Sequence, residues 1–152
     1  MNLLNLVPLI ILVSIALIAS WTDVRSRLLP NWLAGLTFVS GLACAVWVSE
    51  GMEDWLPHLL HAIIALMIGF ALYGFKVWGA GDGKFYSAVA VWSGLSDALI
   101  LIVSITSVGL ILAVVGIARN WGSLFSKKLS SIPYGVAIGF GAVLNQAREY
   151  LL

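Results

Sequence analysis

Two aspartates, Asp23 and Asp82, carry the chemistry that this sequence most needs explained. Asp23 closes a long apolar run in WTDVRSRLLPNWL, and Asp82 opens another in GAGDGK. A carboxylate at the edge of hydrocarbon is costly to ionise, so such residues mark functional sites more often than decoration. Two carboxyls in one partly dry pocket cannot both ionise easily, and near neutral pH one can hold a proton while the other does not. That asymmetry suits peptide hydrolysis. The ionised aspartate takes a proton from water, and the protonated one donates a hydrogen bond to the scissile carbonyl. Which of the two is the base stays open, because a coupled pair titrates as a unit. Gly79, Gly81 and Gly83 shape the loop around Asp82, freeing backbone angles and letting another main chain come close.

The elements that must position this pair are set by composition. Of 152 residues, 61% are hydrophobic and 10% charged, with a mean hydropathy of +1.04. Eight basic and seven acidic residues cannot cover a soluble domain. Residues 3–19 and 98–118 carry no charge and are long enough to cross roughly 30 Å of hydrocarbon. The expected fold is an all-α polytopic membrane protein, a bundle of about six transmembrane helices forming one transmembrane domain over 1–152. The spans predicted from the polar punctuation are 3–21, 32–49, 56–75, 83–96, 98–118 and 132–147. The fourth is short, since its fourteen residues reach only about 21 Å as a helix.

With six crossings, Arg25, Arg27, Lys76, Lys84, Arg119, Lys127 and Lys128 share one face, and Arg148 alone takes the other. The positive-inside rule makes the first face cytoplasmic. Asp23 and Asp82 fall on it, whereas Glu50, Glu53, Asp54, Asp97 and Glu149 fall outside. Trp21, Trp32, Trp78 and Trp121 on one side and Trp47, Trp55 and Trp92 on the other fit an interfacial aromatic belt. A net charge of +1 offers no basic patch for nucleic acid. Cys44 reads as a packed thiol. His58 and His61 have a metal-compatible spacing but no evident third ligand, so interfacial packing is the better reading. Pro30 and Asn31 stop one helix and start the next, with Asn31 as the N-cap. Gly135, Gly139 and Gly141, like Gly69 and Gly74, offer small faces for helix packing.

Three segments carry a family resemblance. GAGD, from Gly79 to Asp82, matches the GxGD motif of type IV prepilin peptidases. DVRSRLLPN, from Asp23 to Asn31, resembles that family's upstream pattern, and PYGVAI, from Pro133 to Ile138, is similar to its last helix. The chain resembles most the small forms that serve tight-adherence (Flp-type) pili. The resemblance implies a multi-pass protein of the bacterial inner membrane, an aspartic endopeptidase that removes the basic leader of prepilins at the cytoplasmic face. It implies Asp23 and Asp82 as the catalytic pair, with no cofactor and no metal. The partners implied are a prepilin or pilin-like substrate and membrane lipid. The cysteine-bearing insertion of the larger, methylating relatives is missing, so no methyltransferase activity is expected. Gly83 departs from the pattern, standing where the family usually has an aliphatic residue.

Other classes make different demands. A proton-relay subunit using Asp23 and Asp82 would place them near mid-bilayer. A protease of the presenilin or signal-peptide-peptidase kind would add a Pro-Ala-Leu motif, absent here. A non-catalytic assembly partner has no need of both aspartates.

Overall fold

The computed structural model describes residues 6–76, 78–119 and 133–151. Trp121, Lys127 and Lys128, and the side chains of Arg119 and Glu149, lie outside the described residues. Among the described residues six α-helices follow in order: α1 Val7–Ser26, α2 Asn31–Val48, α3 Met52–Gly74, α4 Ala80–Ala90, α5 Ala98–Arg119 and α6 Tyr134–Leu151. A 3-10 turn, Leu95–Asp97, joins α4 to α5, and there is no strand among the described residues. The stretches Val7–Ser26, Asn31–Val48, Met52–Gly74 and Leu95–Ala118 are long and apolar enough to cross a membrane. The chain is an all-α polytopic membrane protein.

Two predicted boundaries move in ways that matter for the aspartates. The first helix runs to Ser26, five residues past the expected end, so Asp23 sits within its last turn. The fourth helix is Ala80–Ala90 instead of 83–96, so Asp82 lies inside its first turn and not ahead of it. The chain leaves α1 through Arg27, whose left-handed backbone (φ 54°) lets its N–H donate to the Asp23 carbonyl at 2.9 Å.

At eleven residues α4 is about 16 Å long, roughly half the hydrocarbon thickness. It is tolerated because it never meets lipid along most of its length. From Phe85 to Ser93 every residue is buried, and α4 packs against α2, α3 and α6. Polar groups of an irregular backbone at such depth must be satisfied by protein. Those after α4 are. His58 Nδ1 lies 3.0 Å from the Val91 carbonyl and His61 Nδ1 lies 3.0 Å from that of Ser93. A carbonyl can only accept, so both imidazoles donate through Nδ1. Trp92 Nε1 donates to the Thr37 carbonyl at 3.0 Å, and Ser87 Oγ to the Ala62 carbonyl at 2.8 Å. Trp92 is therefore a core residue, 6% exposed, and not part of an interfacial belt. Its indole N–H has a buried acceptor, which removes its need for headgroup water. Trp21, Trp32 and Trp47 are exposed as a belt requires.

Because α4 stops short, the end of the bundle away from the aspartates is hollow. A cavity of about 830 Å³ opens there, bordered by Glu53, Asp54, His58, Ser96, Asp97 and Gln146 and reaching Cys44. Arg148 and Asp97 form an ion pair at 2.8 Å at the same end.

Glycines set the helix spacing. A Cβ on Gly141 of α6 would stand 2.6 Å from Ile105 Cα of α5, and one on Gly139 would stand 3.1 Å from Ala16 Cβ of α1. A Cβ on Gly116 of α5 would meet nothing within 4 Å among the described residues. Gly141→Val should therefore force α5 and α6 apart and cost about 1–3 kcal/mol, the usual range for overpacking. Gly116→Ala should cost nothing, since alanine favours the helix by about 0.5–1 kcal/mol. Thermal unfolding in detergent, followed by helical circular dichroism, checks both. Equal midpoints for the two variants would contradict the packing described.

Candidate functional site

The site is assembled from three helix ends: the last turn of α1, the first turn of α4 and the first turn of α6. Asp23 is 6% exposed. Its Oδ2 accepts a hydrogen bond from the Gly135 N–H at 2.7 Å. The first N–H groups of a helix lack intrahelical partners and carry partial positive charge, so α6 presents a natural anchor for a carboxylate. Gly135 must be glycine here, because a Cβ would stand 2.9 Å from Asp23 Oδ2 and 2.9 Å from Leu29 Cδ2. Gly135 is one of the site residues whose role the sequence alone did not reveal. Its position in PYGVAI suggested helix packing, but its amide orients an aspartate 112 residues away.

Asp82 is the third residue of α4, and its Oδ2 accepts from the Gly79 N–H at 3.2 Å. An acidic side chain at this position folds back onto the residue that starts the helix, which is half of a capping box. Each carboxyl thus has one oxygen bound to a main-chain N–H. Leu29, in the α1–α2 connection, lies between the two. Its carbonyl would be 3.4 Å from a Cβ on Gly81, and its side chain abuts Gly135. The two aspartates, distant in sequence, thus share one end of the bundle and are linked through Leu29 by way of Gly135 and Gly81.

The three loop glycines act differently from expectation. No described glycine has a positive φ, so their conformational freedom is not used. Close approach is used, but from within the chain. Gly83 abuts Gly69 of α3, with a Cβ on Gly83 coming to 3.2 Å from Gly69 Cα. This explains why an aliphatic side chain is missing after Asp82: α3 occupies its space. Asn31 does not cap α2 either. Pro30 stands at the cap, and Asn31 Oδ1 instead accepts from Lys84 Nζ at 3.1 Å, tying α2 to the first turn of α4.

An aromatic cluster adjoins the pair. Trp78 meets Tyr86 edge-on at 5.4 Å between ring centroids and Tyr134 at 6.3 Å. The loop before Asp82 is thereby fixed to both α4 and the residue preceding Gly135. His58 and His61 belong to the opposite end of α4, with one ring nitrogen each on a carbonyl. Among the described residues no three His, Cys, Asp or Glu side chains gather as metal ligands.

The fold and site together define a membrane-embedded helical bundle with two carboxyls gathered at one end. The chain belongs to the type IV leader peptidase family, whose model matches residues 10–117. No curated protein and no solved structure matches it. The matched stretch contains both aspartates and the GAGD segment but stops before α6, so Gly135 lies beyond it.

Asp82 lies outside the four membrane-length stretches. Burial pushes its carboxyl above the ordinary range, the Gly79 N–H pulls it partly back, and the Asp23 charge raises it further. Asp23→Asn should therefore lower the Asp82 titration midpoint while leaving it above that of a free aspartate, about 3.9. Carboxyl infrared or ¹³C NMR titration reads this out. The sign for stability follows from linkage. A raised acid contributes its full stability below the unfolded value and loses it as pH rises through the folded one. Asp82→Asn should flatten that slope in pH-dependent unfolding.

Proposed function

We propose that this chain is an aspartic endopeptidase that removes the leader peptide from prepilins or pilin-like proteins. Family membership makes it a leader peptidase-like membrane protein. The aspartic mechanism rests on one observation: Asp23 in the last turn of α1 and Asp82 in the first turn of α4 stand at the same end of the bundle, each tethered through one oxygen by a backbone N–H, with Leu29 against both Gly135 and Gly81. In this reading the oxygen of each carboxyl that is not tethered does the chemistry. One aspartate, ionised, removes a proton from water as that water attacks the scissile carbonyl. The other, protonated, donates a hydrogen bond to the carbonyl oxygen, and the proton then passes to the leaving amine. The raised titration of Asp82 favours sharing one proton across the pair at neutral pH.

The basic residues support a cytoplasmic site in the bacterial inner membrane. Arg25, Arg27, Lys76 and Lys84 stand at the end of the bundle that holds the aspartates, and Arg148 pairs with Asp97 at the other. Resemblance to the small tight-adherence forms favours Flp-type prepilins as substrates, with one peptidase domain over 1–152. Gly79 serves by giving its N–H to Asp82, Gly81 and Gly83 serve by letting Leu29 and α3 close on the first turn of α4, and the catalytic chemistry asks for no cofactor or metal.

Co-expression with a prepilin and a gel shift to mature size tests the reading. Asp23→Asn and Asp82→Asn keep the shape but cannot exchange the proton, so each should lower processing by about 10²–10⁴-fold. Either variant working at the wild-type rate would end the aspartic assignment. Gly135→Ala should also lower processing, by about 10²-fold, because displacing Asp23 by even 1 Å spoils alignment. Retained helicity with lost activity is the expected result for it.

A further inference from the structure

We propose that an apolar slot between α3 and α5 is the subsite for one large apolar side chain of the substrate's membrane helix, on the membrane side of the cut bond. The inference rests on the peptidase reading above and names where its substrate is held. The slot has a volume of about 130 Å³. Ile68 and Leu72 of α3, Tyr86 of α4, and Ile102 and Thr106 of α5 line it, with Trp78 against Tyr86. α3 and α5 hardly touch, so the slot opens sideways to the bilayer, and its rims, Ile68 and Ile102, are each 40% exposed.

Three observations point to the substrate as occupant. The first is position. Tyr86 follows Asp82 by four residues, so it stands on the same face of α4, about 6 Å further into the bundle. The second is continuity. Trp78 packs on Tyr86 and on Tyr134, the neighbour of Gly135, so one aromatic contact chain runs from the slot to the residue holding Asp23. A polypeptide with a carbonyl at Asp82 and its apolar helix laid against the α3–α5 face passes the mouth of the slot within its next turns, so that one side chain can reach in to Tyr86. The third is size. A dry cavity of about 150 Å³ takes one benzene, so this slot holds a single phenyl ring or branched aliphatic chain. Depth and volume together select a large side chain within the first turn or two after the cleaved bond.

The test uses the full-length protein in vesicles and synthetic peptides with a lysine-rich leader ahead of a single leucine-alanine helix. Each of the first six positions after the cut is varied in turn among Ala, Leu, Phe and Trp. At one position Leu or Phe should exceed Ala in kcat/KM by about 10-fold or more, the range one pocket-filling group gives. Ile102→Trp, which fills the slot from its exposed rim, should collapse that ratio to near 1. Thr106→Phe is a second filling variant in case the first unfolds. If wild type cleaves the peptides but shows no size preference, or the filled variants keep the ratio while every rate falls together, the slot is not a subsite. A photocrosslinker at Thr106 in the Asp82→Asn protein reads binding without cleavage. Adducts with the peptide's apolar helix support the inference, and adducts with lipid alone overturn it. Failure of wild type to cleave any peptide would instead remove the peptidase reading, and this inference with it.

Discussion

The structure depends on burying a helix too short for its surroundings. An α-helix leaves unpaired donors at its start and unpaired acceptors at its end, and inside a membrane protein these have no bulk water to turn to. The eleven residues of α4 create that problem twice within about 16 Å. At the far end, the backbone that follows the helix is satisfied by His58 and His61. At the near end, Asp82 takes the Gly79 N–H, and Lys84 reaches Asn31. Asp82 is thus held by the same bonds that let its helix exist, and its carboxyl inherits a defined direction.

Around this centre, side-chain volume is removed wherever backbones must meet. Gly69 against Gly83 lets α3 approach the first turn of α4, Gly41 makes room for Val91 and Trp92, and Gly141 admits α5. Between helices in lipid, packing and hydrogen bonds replace the hydrophobic drive available in water. Gly135 combines both uses, since the missing Cβ lets the main-chain amide reach Asp23. The site is therefore a by-product of close packing as much as of the two acids themselves.

Much of this was legible in the sequence. Charge-free runs, basic loops and boundary aspartates are readable because hydrocarbon penalises charge strongly and locally. The helical class follows from that penalty, and so does the placement of Asp23 and Asp82 at helix ends. What stayed hidden depends on three-dimensional partners. Trp92 has the position of a belt residue, and only the Thr37 carbonyl makes it a core one. The role of Gly135 could not be read because a glycine in an apolar helix looks the same whether it faces another helix or a carboxylate. His58 and His61 read as interfacial packing residues, whereas His61 is buried and each imidazole serves the backbone after α4. The partners are main-chain carbonyls, which no side-chain pattern advertises. Gly83 looked like a lapse from a motif and is explained by contact with α3.

The hollow at the end opposite the aspartates bears on how the bundle insulates. A cavity of about 830 Å³ bordered by Glu53, Asp54 and Asp97 is polar and roomy enough to hold water. The dielectric layer between the two aqueous sides is then set by the length of α4 and not by the thickness of the lipid. Electrical sealing rests on a few side chains such as Phe85, Val89, Leu33 and Leu101, all almost wholly buried. A polar replacement in that plug would compromise the ion barrier of the membrane far more than the same change on a lipid-facing helix.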